Sequence, residues 1–257
     1  MIYASDLDRT LLYSDRFLES HPCDSELNLA DESSVNSYIS KQVLDKLTEV
    51  SRFDGVRFIP ITTRNLAQYQ RINLGDINPE YAITSNGGVV VYKGERMIEW
   101  DAYINSELNR DELEEIRGRF DELPGACRVA SIVDGVFVFT KSDDINAVRE
   151  VLPEFRCKYP NYRFIIEKQK VYALPEIVRK ENALNWLKNI LGEKFVIASG
   201  DSEFDMGILS EADIPVVPGH HTIKSESMDK LNNPIIVDGF ALSPLKTLDI
   251  VTANQYQ

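Results

Sequence analysis

The sequence predicts an α/β fold, a parallel sheet covered on both faces, interrupted by an inserted α+β module. Three observations carry this expectation. Short apolar runs rich in β-branched residues recur in both outer parts of the chain, each ending in polar residues. Amphipathic helical patterns lie between those runs, and strand–helix alternation favours a parallel sheet. The middle of the chain changes character to paired strands with tight turns.

The predicted strands are Ile2–Ala4, Arg57–Ile61, Tyr81–Thr84, Phe195–Ala198, Ile214–Val217 and Ile235–Val237. Runs of this length and composition read as buried strands. Pro60 and Pro215 count against two of them, because proline cannot donate to a ladder. Val43, Leu44, Leu47 and Val50 fall on one helical face, as do Ala183, Leu184, Leu187, Ile190 and Leu191. In the middle, Val89–Tyr92 and Arg96–Trp100 flank Lys93-Gly94-Glu95 and read as a hairpin. A helix with Leu113, Ile116, Phe120 and Leu123 follows, then strands Cys127–Val133 and Val136–Thr140 around Asp134-Gly135, a strong hairpin signal. A second helix, with Ile145, Val148, Val151, Leu152 and Phe155, precedes strands Tyr162–Glu167 and Lys170–Leu174. The helix–strand–strand unit thus occurs twice. The expected division is a core of residues 1–87 and 175–257 and an insert of residues 88–174. Residues 13–36 are polar, include Ser33 and Ser34, lack periodicity and read as a long loop near the end of the sheet.

The chain has 257 residues, enough to bury a proper core, and its charge is −13 from 28 basic and 41 acidic residues. A nucleic-acid binder needs a basic footprint, so nucleic acid and anionic membranes are not expected partners. No apolar window approaches the roughly 18 residues of a membrane span. No basic-then-apolar leader opens the sequence. Cys23, Cys127 and Cys157 form no metal-binding or redox spacing and read as free thiols of a cytoplasmic protein.

Four short motifs carry chemistry. Asp6-Leu7-Asp8-Arg9-Thr10 directly follows the first strand. Side chains two apart in extended chain share a face, so Asp6 and Asp8 can enter one site, where a divalent cation is the usual way to keep both ionised. By itself the motif is as well explained by an acidic turn. Thr62-Thr63-Arg64 follows the second strand; its hydroxyls and amides suit a phosphate oxygen at a helix start, or simply a helix N-cap. Lys180 stands ahead of an apolar helix face, and Gly200-Asp201-Ser202-Glu203-Phe204-Asp205 follows the strand ending at Ala198. Taken singly these are a solvated lysine and an acidic loop. Together they place reactive groups beyond the carboxyl ends of parallel strands, where open α/β sheets bind ligands.

The order DLDRT, TTR, a lone lysine before an apolar helix and GDSEFD resembles the four motifs of the haloacid dehalogenase (HAD) superfamily. The inserted module is similar to that superfamily's type 2 cap, and Ser85-Asn86-Gly87-Gly88 resembles the loop entering the cap in Cof-type and sucrose-phosphatase-like members. The resemblance spans nearly the whole chain and implies a Rossmann-like core and a Mg²⁺-dependent phosphatase acting on a small phosphorylated metabolite such as a sugar phosphate. It assigns Asp6 as nucleophile and Asp8 as general acid and base. It assigns Thr62, Thr63 and Lys180 to the phosphate. Asp6, Asp201 and the main-chain carbonyl of Asp8 go to the metal, with Asp205 either a further ligand or a partner behind them. A phosphomutase of the same fold and a catalytically silent metabolite-binding relative are the alternatives. Oligomeric state is not readable.

The chain departs from the pattern at Arg9 and Thr63, where glycine is common, and at Phe204, where asparagine is common. Arg9 and Arg64 either add positive charge near the substrate or pair with nearby carboxylates, the second reading being favoured; Asn86 is a further candidate contact. His220 and His221 read as loop residues, since histidine does not suit magnesium. Lys168, Lys170 and Tyr172 read as ordinary exposed residues of the insert.

Overall fold

The computed structural model describes residues 1–33 and 35–257. Ser34, part of the expected loop, lies outside the described residues. The chain opens with β1 (Ile2–Asp6), β2 (Tyr13–Ser14), α1 (Asp15–Ser20), β3 (Leu27–Asp31), β4 (Ser37–Ser40), α2 (Lys41–Ser51), β5 (Arg57–Ile61), α3 (Leu66–Tyr69), β6 (Tyr81–Thr84), β7 (Val89–Tyr92) and β8 (Glu95–Arg96). The insert contains α4 (Ile98–Glu107), α5 (Arg110–Asp121), β9 (Ala126–Val133), β10 (Phe137–Ser142), α6 (Ile145–Lys158), β11 (Tyr162–Glu167) and β12 (Lys170–Pro175). The chain then returns through α7 (Lys180–Leu191), β13 (Val196–Ser199), α8 (Met206–Ser210), β14 (Ile214–Pro218), α9 (Ser225–Met228), β15 (Ile235–Val237) and α10 (Ser243–Ala253).

The core is an eight-stranded sheet of order β15-β14-β13-β1-β5-β6-β7-β8. All six predicted strands are present, and their ladders run parallel from β15 to β6. Every residue of β1 is buried, so both of its faces are covered, as a parallel sheet requires. On one side Val43, Leu47 and Val50 of α2 join Leu248 and Val251 of α10 against Tyr3 and Phe58. Ala183, Leu184 and Leu187 of α7 are also fully buried, whereas Ile190 of the same predicted face is half-exposed. Pro60 and Pro215 sit inside inner strands after all. Pro60 lacks a donor, and the β5–β6 register holds one pair, Ile61 with Ile83, immediately after it.

The expected hairpin at 89–100 is partly a core element. β7 and β8 extend the core sheet antiparallel to β6, and the second strand ends at Arg96, giving way to α4. The two compact units are therefore residues 1–96 with 180–257, and residues 97–179. The boundary expected at 88 moves to 97 because Val89, Val90 and Val91 bury themselves on the core sheet, and the one expected at 174 falls at 179. The second unit is a four-stranded antiparallel sheet, β11-β12-β10-β9, with the predicted helix–strand–strand unit repeated as α5-β9-β10 and α6-β11-β12. Phe120 of α5 packs edge-on against Phe155 of α6. Tyr172, expected to be exposed, is buried beside Phe137 and Phe139; Lys168 and Lys170 are exposed.

The segment read as a long loop is instead structured. β2, β4 and β3 form a small antiparallel sheet with α1 at its start. Its strands are too short and polar to show a hydrophobic period, and it buries only scattered residues such as Tyr13, Phe17, Ala30 and Ile39.

Candidate active site

The site assembles where β1, β5 and β13 end. Asp6 closes β1 and is buried. Beyond it the chain folds into a tight turn in which the N–H groups of Thr10, Leu11 and Leu12 all donate to the Leu7 carbonyl. Arg9 sits in this turn at φ 63°, the left-handed region that favours glycine.

Lys180 is the first residue of α7, where the helix field disfavours a cation. It is nevertheless 1% exposed, because its Nζ donates to Asp6 Oδ1 and to Asp205 Oδ1, both at 2.6 Å. Burial works against its charge, but Asp205 and Asp6 outweigh that and hold the ammonium above the ordinary lysine range. Burial likewise pushes the Asp6 carboxyl well above its usual range. Lys180 opposes this shift, while Asp205, Asp201 and Asp8 add to it. Burial and the neighbouring carboxylates both disfavour the ionised form of Asp6, and a cation bound beside it would offset both.

Asp205 organises its loop. Its Oδ2 accepts from the N–H groups of Asp201 and Ser202 and from Ser202 Oγ. Gly200 is required here because a Cβ on it would lie 2.3 Å from Asp205 Cβ. Asp6, Asp201 and Asp205 are all buried, and each can present a carboxylate oxygen such that all three oxygens lie within 4.8 Å of one another. An all-oxygen set of this kind suits a hard divalent cation such as Mg²⁺. Asp205 already satisfies four donors, so Asp6 and Asp201 are the better ligands.

The Asp8 carboxylate lies outside this group. It is half-exposed and clamped by Arg64, whose Nε donates to Oδ2 at 2.8 Å and Nη2 to Oδ1 at 2.6 Å. Arg64 also donates to Asp31 Oδ2 at 2.6 Å and to Ser37 Oγ at 3.1 Å, and Arg71 pairs with Asp31 from the other side. Bidentate guanidinium–carboxylate pairing fixes orientation as well as charge. Asp31 on β3 and Ser37 on β4 were not singled out in the sequence, because Asp31 lies in the stretch read as loop and Ser37 directly follows it. The alternation Leu27-Asn28-Leu29 is the only local strand signal there.

Thr62 is buried, and its Oγ1 accepts from the Arg64 N–H. Neither threonine caps the next helix; Asn65 does, in a capping box with Gln68. That helix, α3, has four residues, so the dipole expected to assist phosphate is small. The Ser85–Gly87 turn is tied to the same loop: Ser85 N donates to Arg64 O and Asn86 N to Thr62 O. Ser85, Asn86 and Gly87 all have positive φ, and all are buried.

Arg9 reaches across to the last strands. Its Nη2 donates to the His220 carbonyl at 3.0 Å, and its Nε lies 3.5 Å from Asp201 Oδ2. The His220 ring bonds the Arg9 carbonyl through Nε2 at 2.8 Å and packs among Tyr13, Phe17 and Phe240. Burial lowers its pKa, partly offset by the bond to the Arg9 carbonyl.

The family model of sucrose-6F-phosphate phosphohydrolase matches residues 1–236. The chain belongs to that family. It is a phosphatase of the HAD superfamily. Solved structures share the fold. The sucrose-phosphatase of Synechocystis sp. PCC6803, in complex with sucrose and phosphate, is 16% identical over 98% of both chains, with a TM-score of 0.64. The phosphatase BT1666 of Bacteroides thetaiotaomicron is 18% identical over 98% of this chain and 94% of its own, with a TM-score of 0.61. The subclass IIB sugar phosphatase BT4131 is 16% identical over 99% and 98%, with a TM-score of 0.62. No curated protein matches the sequence. Among the described residues of this phosphatase, no helix is long and apolar enough to cross a membrane.

Proposed function

We propose that this phosphatase hydrolyses the phosphate monoester of a small sugar through an aspartyl-phosphate on Asp6. The observation that carries the reading is the buried Asp6 carboxylate, bonded to Lys180 within the Asp6–Asp201–Asp205 oxygen cluster. A carboxylate so placed is a nucleophile with a fixed direction of attack. Asp6 attacks phosphorus, and the bond from phosphorus to the sugar oxygen breaks. Asp8, protonated on an oxygen that Arg64 has released, gives that proton to the departing alkoxide. Water then attacks phosphorus, Asp8 takes its proton, and the acyl-phosphate bond breaks to release inorganic phosphate. Arg64 fixes the direction of the Asp8 carboxylate, and the small sheet holds Arg64 through Asp31 and Ser37.

Lys180 and the Thr62 hydroxyl hydrogen bind equatorial phosphate oxygens, with Thr63 beside them. Mg²⁺, held by Asp6, Asp201 and the Asp8 carbonyl with Asp205 behind them, would withdraw charge from the phosphate. A sugar leaving group is supported by the family's name and by the relative in complex with sucrose and phosphate. Arg64 is spent on Asp8 and Asp31, which leaves Asn86 as the candidate substrate contact at the Thr62 loop. The three free cysteines support a reducing, cytoplasmic setting.

The test is phosphate release from a panel of phosphorylated sugars that includes sucrose-6F-phosphate, with Mg²⁺ and with EDTA. Release that needs Mg²⁺ and is lost in Asp6→Asn, with the far-UV spectrum unchanged, is the expected result. Release by Asp6→Asn at the wild-type rate, or undiminished release in EDTA, overturns the reading.

A further inference from the structure

Arg9 stands in a backbone conformation that disfavours it, at φ 63°, where glycine would be unstrained. It is also fixed there. Its Nη2 is bonded to the His220 carbonyl, its carbonyl accepts from the His220 ring, and its guanidinium lies 5.7 Å from the centroid of the Phe17 ring. These anchors aim Nε at Asp201. Nε is buried and has no hydrogen-bond partner, and the Asp201 carboxylate is 3.5 Å away. That separation is long for a hydrogen bond and short for charge attraction. The protein itself therefore offers the Asp201 carboxylate a cation, while Lys180 pairs with Asp6 and Asp205.

We propose that Arg9 is a built-in counter-charge to Asp201 that weakens Mg²⁺ binding. The inference rests on the reading of Asp201 as a metal ligand. Three buried carboxylates face one buried ammonium at Lys180; Arg9 removes one more unit of the excess negative charge that attracts a divalent ion. It also gives the Asp201 carboxylate an alternative engagement, since a small rotation toward Nε satisfies a donor that is otherwise buried without an acceptor. Mg²⁺ must compete with that engagement. One unit charge within a side chain's length of a divalent ion changes affinity by about tenfold even at the dielectric constant of water. Metal occupancy then follows magnesium concentration instead of being saturated throughout.

The experiment is calorimetric titration of Mg²⁺ into the substrate-free protein, comparing wild type with Arg9→Gly, Arg9→Gln, Arg9→Lys and Asp201→Asn. Glycine suits the backbone at this position, and glutamine removes the charge while keeping the backbone conformation and most of the side chain. Both are expected to bind Mg²⁺ about tenfold more tightly. Lysine keeps the charge and should retain the wild-type affinity. Asp201→Asn should lose binding. If Asp201→Asn binds as wild type does, the metal site itself is misassigned and the inference falls with it. If Asp201→Asn loses binding while Arg9→Gly and Arg9→Gln bind no more tightly than wild type, the site stands and the role given to Arg9 is wrong.

Discussion

Lys180→Met tests the balance of charge on which the site depends. Lys180 is buried between Asp6 and Asp205, with both contacts at 2.6 Å. Methionine keeps the length and apolar stem of the side chain but leaves two buried carboxylates without their shared cation. Removing one partner of a buried pair costs about 3–5 kcal/mol, a large part of the ~5–15 kcal/mol that stabilises a typical domain. Asp205 keeps three donors from Asp201 and Ser202, so the larger share of the loss belongs to Asp6. Urea unfolding in EDTA measures it. The chain has two tryptophans, Trp100 in the insert and Trp186 on α7, so a Trp100→Phe background makes fluorescence report the core alone. Lys180→Met should lose about 3–5 kcal/mol there. Adding Asp6→Asn should restore part of the loss, with a coupling of about 0.5–3 kcal/mol. A loss under about 1 kcal/mol together with additive effects would refute the argument that Lys180 holds the carboxylates together.

Two further outcomes follow from the site. Asp8→Ala should slow formation of the phosphoenzyme far more for a sugar phosphate than for p-nitrophenyl phosphate, whose leaving group needs no proton; general acid help is worth about 10²–10⁴-fold. Single-turnover rates with both substrates check this, and equal losses would remove Asp8 from the acid role. Burial lowers the His220 pKa in the folded protein and so favours the neutral ring. Its contribution to stability is therefore complete above the unfolded value of about 6.5 and is lost as the pH falls through the lower folded value. His220→Phe, which keeps the ring among Phe17, Tyr13 and Phe240, should flatten the fall in urea midpoint between pH 7.5 and 5.5; an unchanged slope would show that His220 is not the group responsible.

The core sheet was legible because its inner strands, β1 above all, are buried on both faces and so read as unbroken apolar runs. Arg57–Ile61 and Tyr81–Thr84 appear with the bounds expected. The small sheet at 13–40 was not legible, because β2 has two residues and β3 is half polar, leaving no period to detect. Arg96–Trp100 misled for the opposite reason: Met97, Ile98 and Trp100 look like strand, yet only Trp100 and Ile104 of the resulting helix are buried. At the site, the strand-end positions of Asp6, Thr62 and Asp201 pointed to one place. The partners of Arg64 could not be read, since Asp8 and Asp31 lie 56 and 33 residues away along the chain. Which carboxylate a guanidinium chooses is decided by the folded backbone.

The position of β1 has a consequence for how the chain matures. On one side β1 pairs with β5, whose first residue is Arg57, and on the other with β13, where Ile2 meets Val196. During synthesis from the N-terminus, the half-sheet β1-β5-β6-β7-β8 is complete once Arg96 has emerged, but β1 then borders solvent along an apolar edge. Unpaired apolar edges invite wrong partners. The whole insert must be made before β13 arrives to cover it. Asp6 waits equally long for its partner, because its ion pair with Lys180 joins residues 174 apart. A pause in translation within the insert would prolong the time that this edge stays open, so the nascent chain is most exposed to misassembly before the loop that carries Asp201 and Asp205 exists.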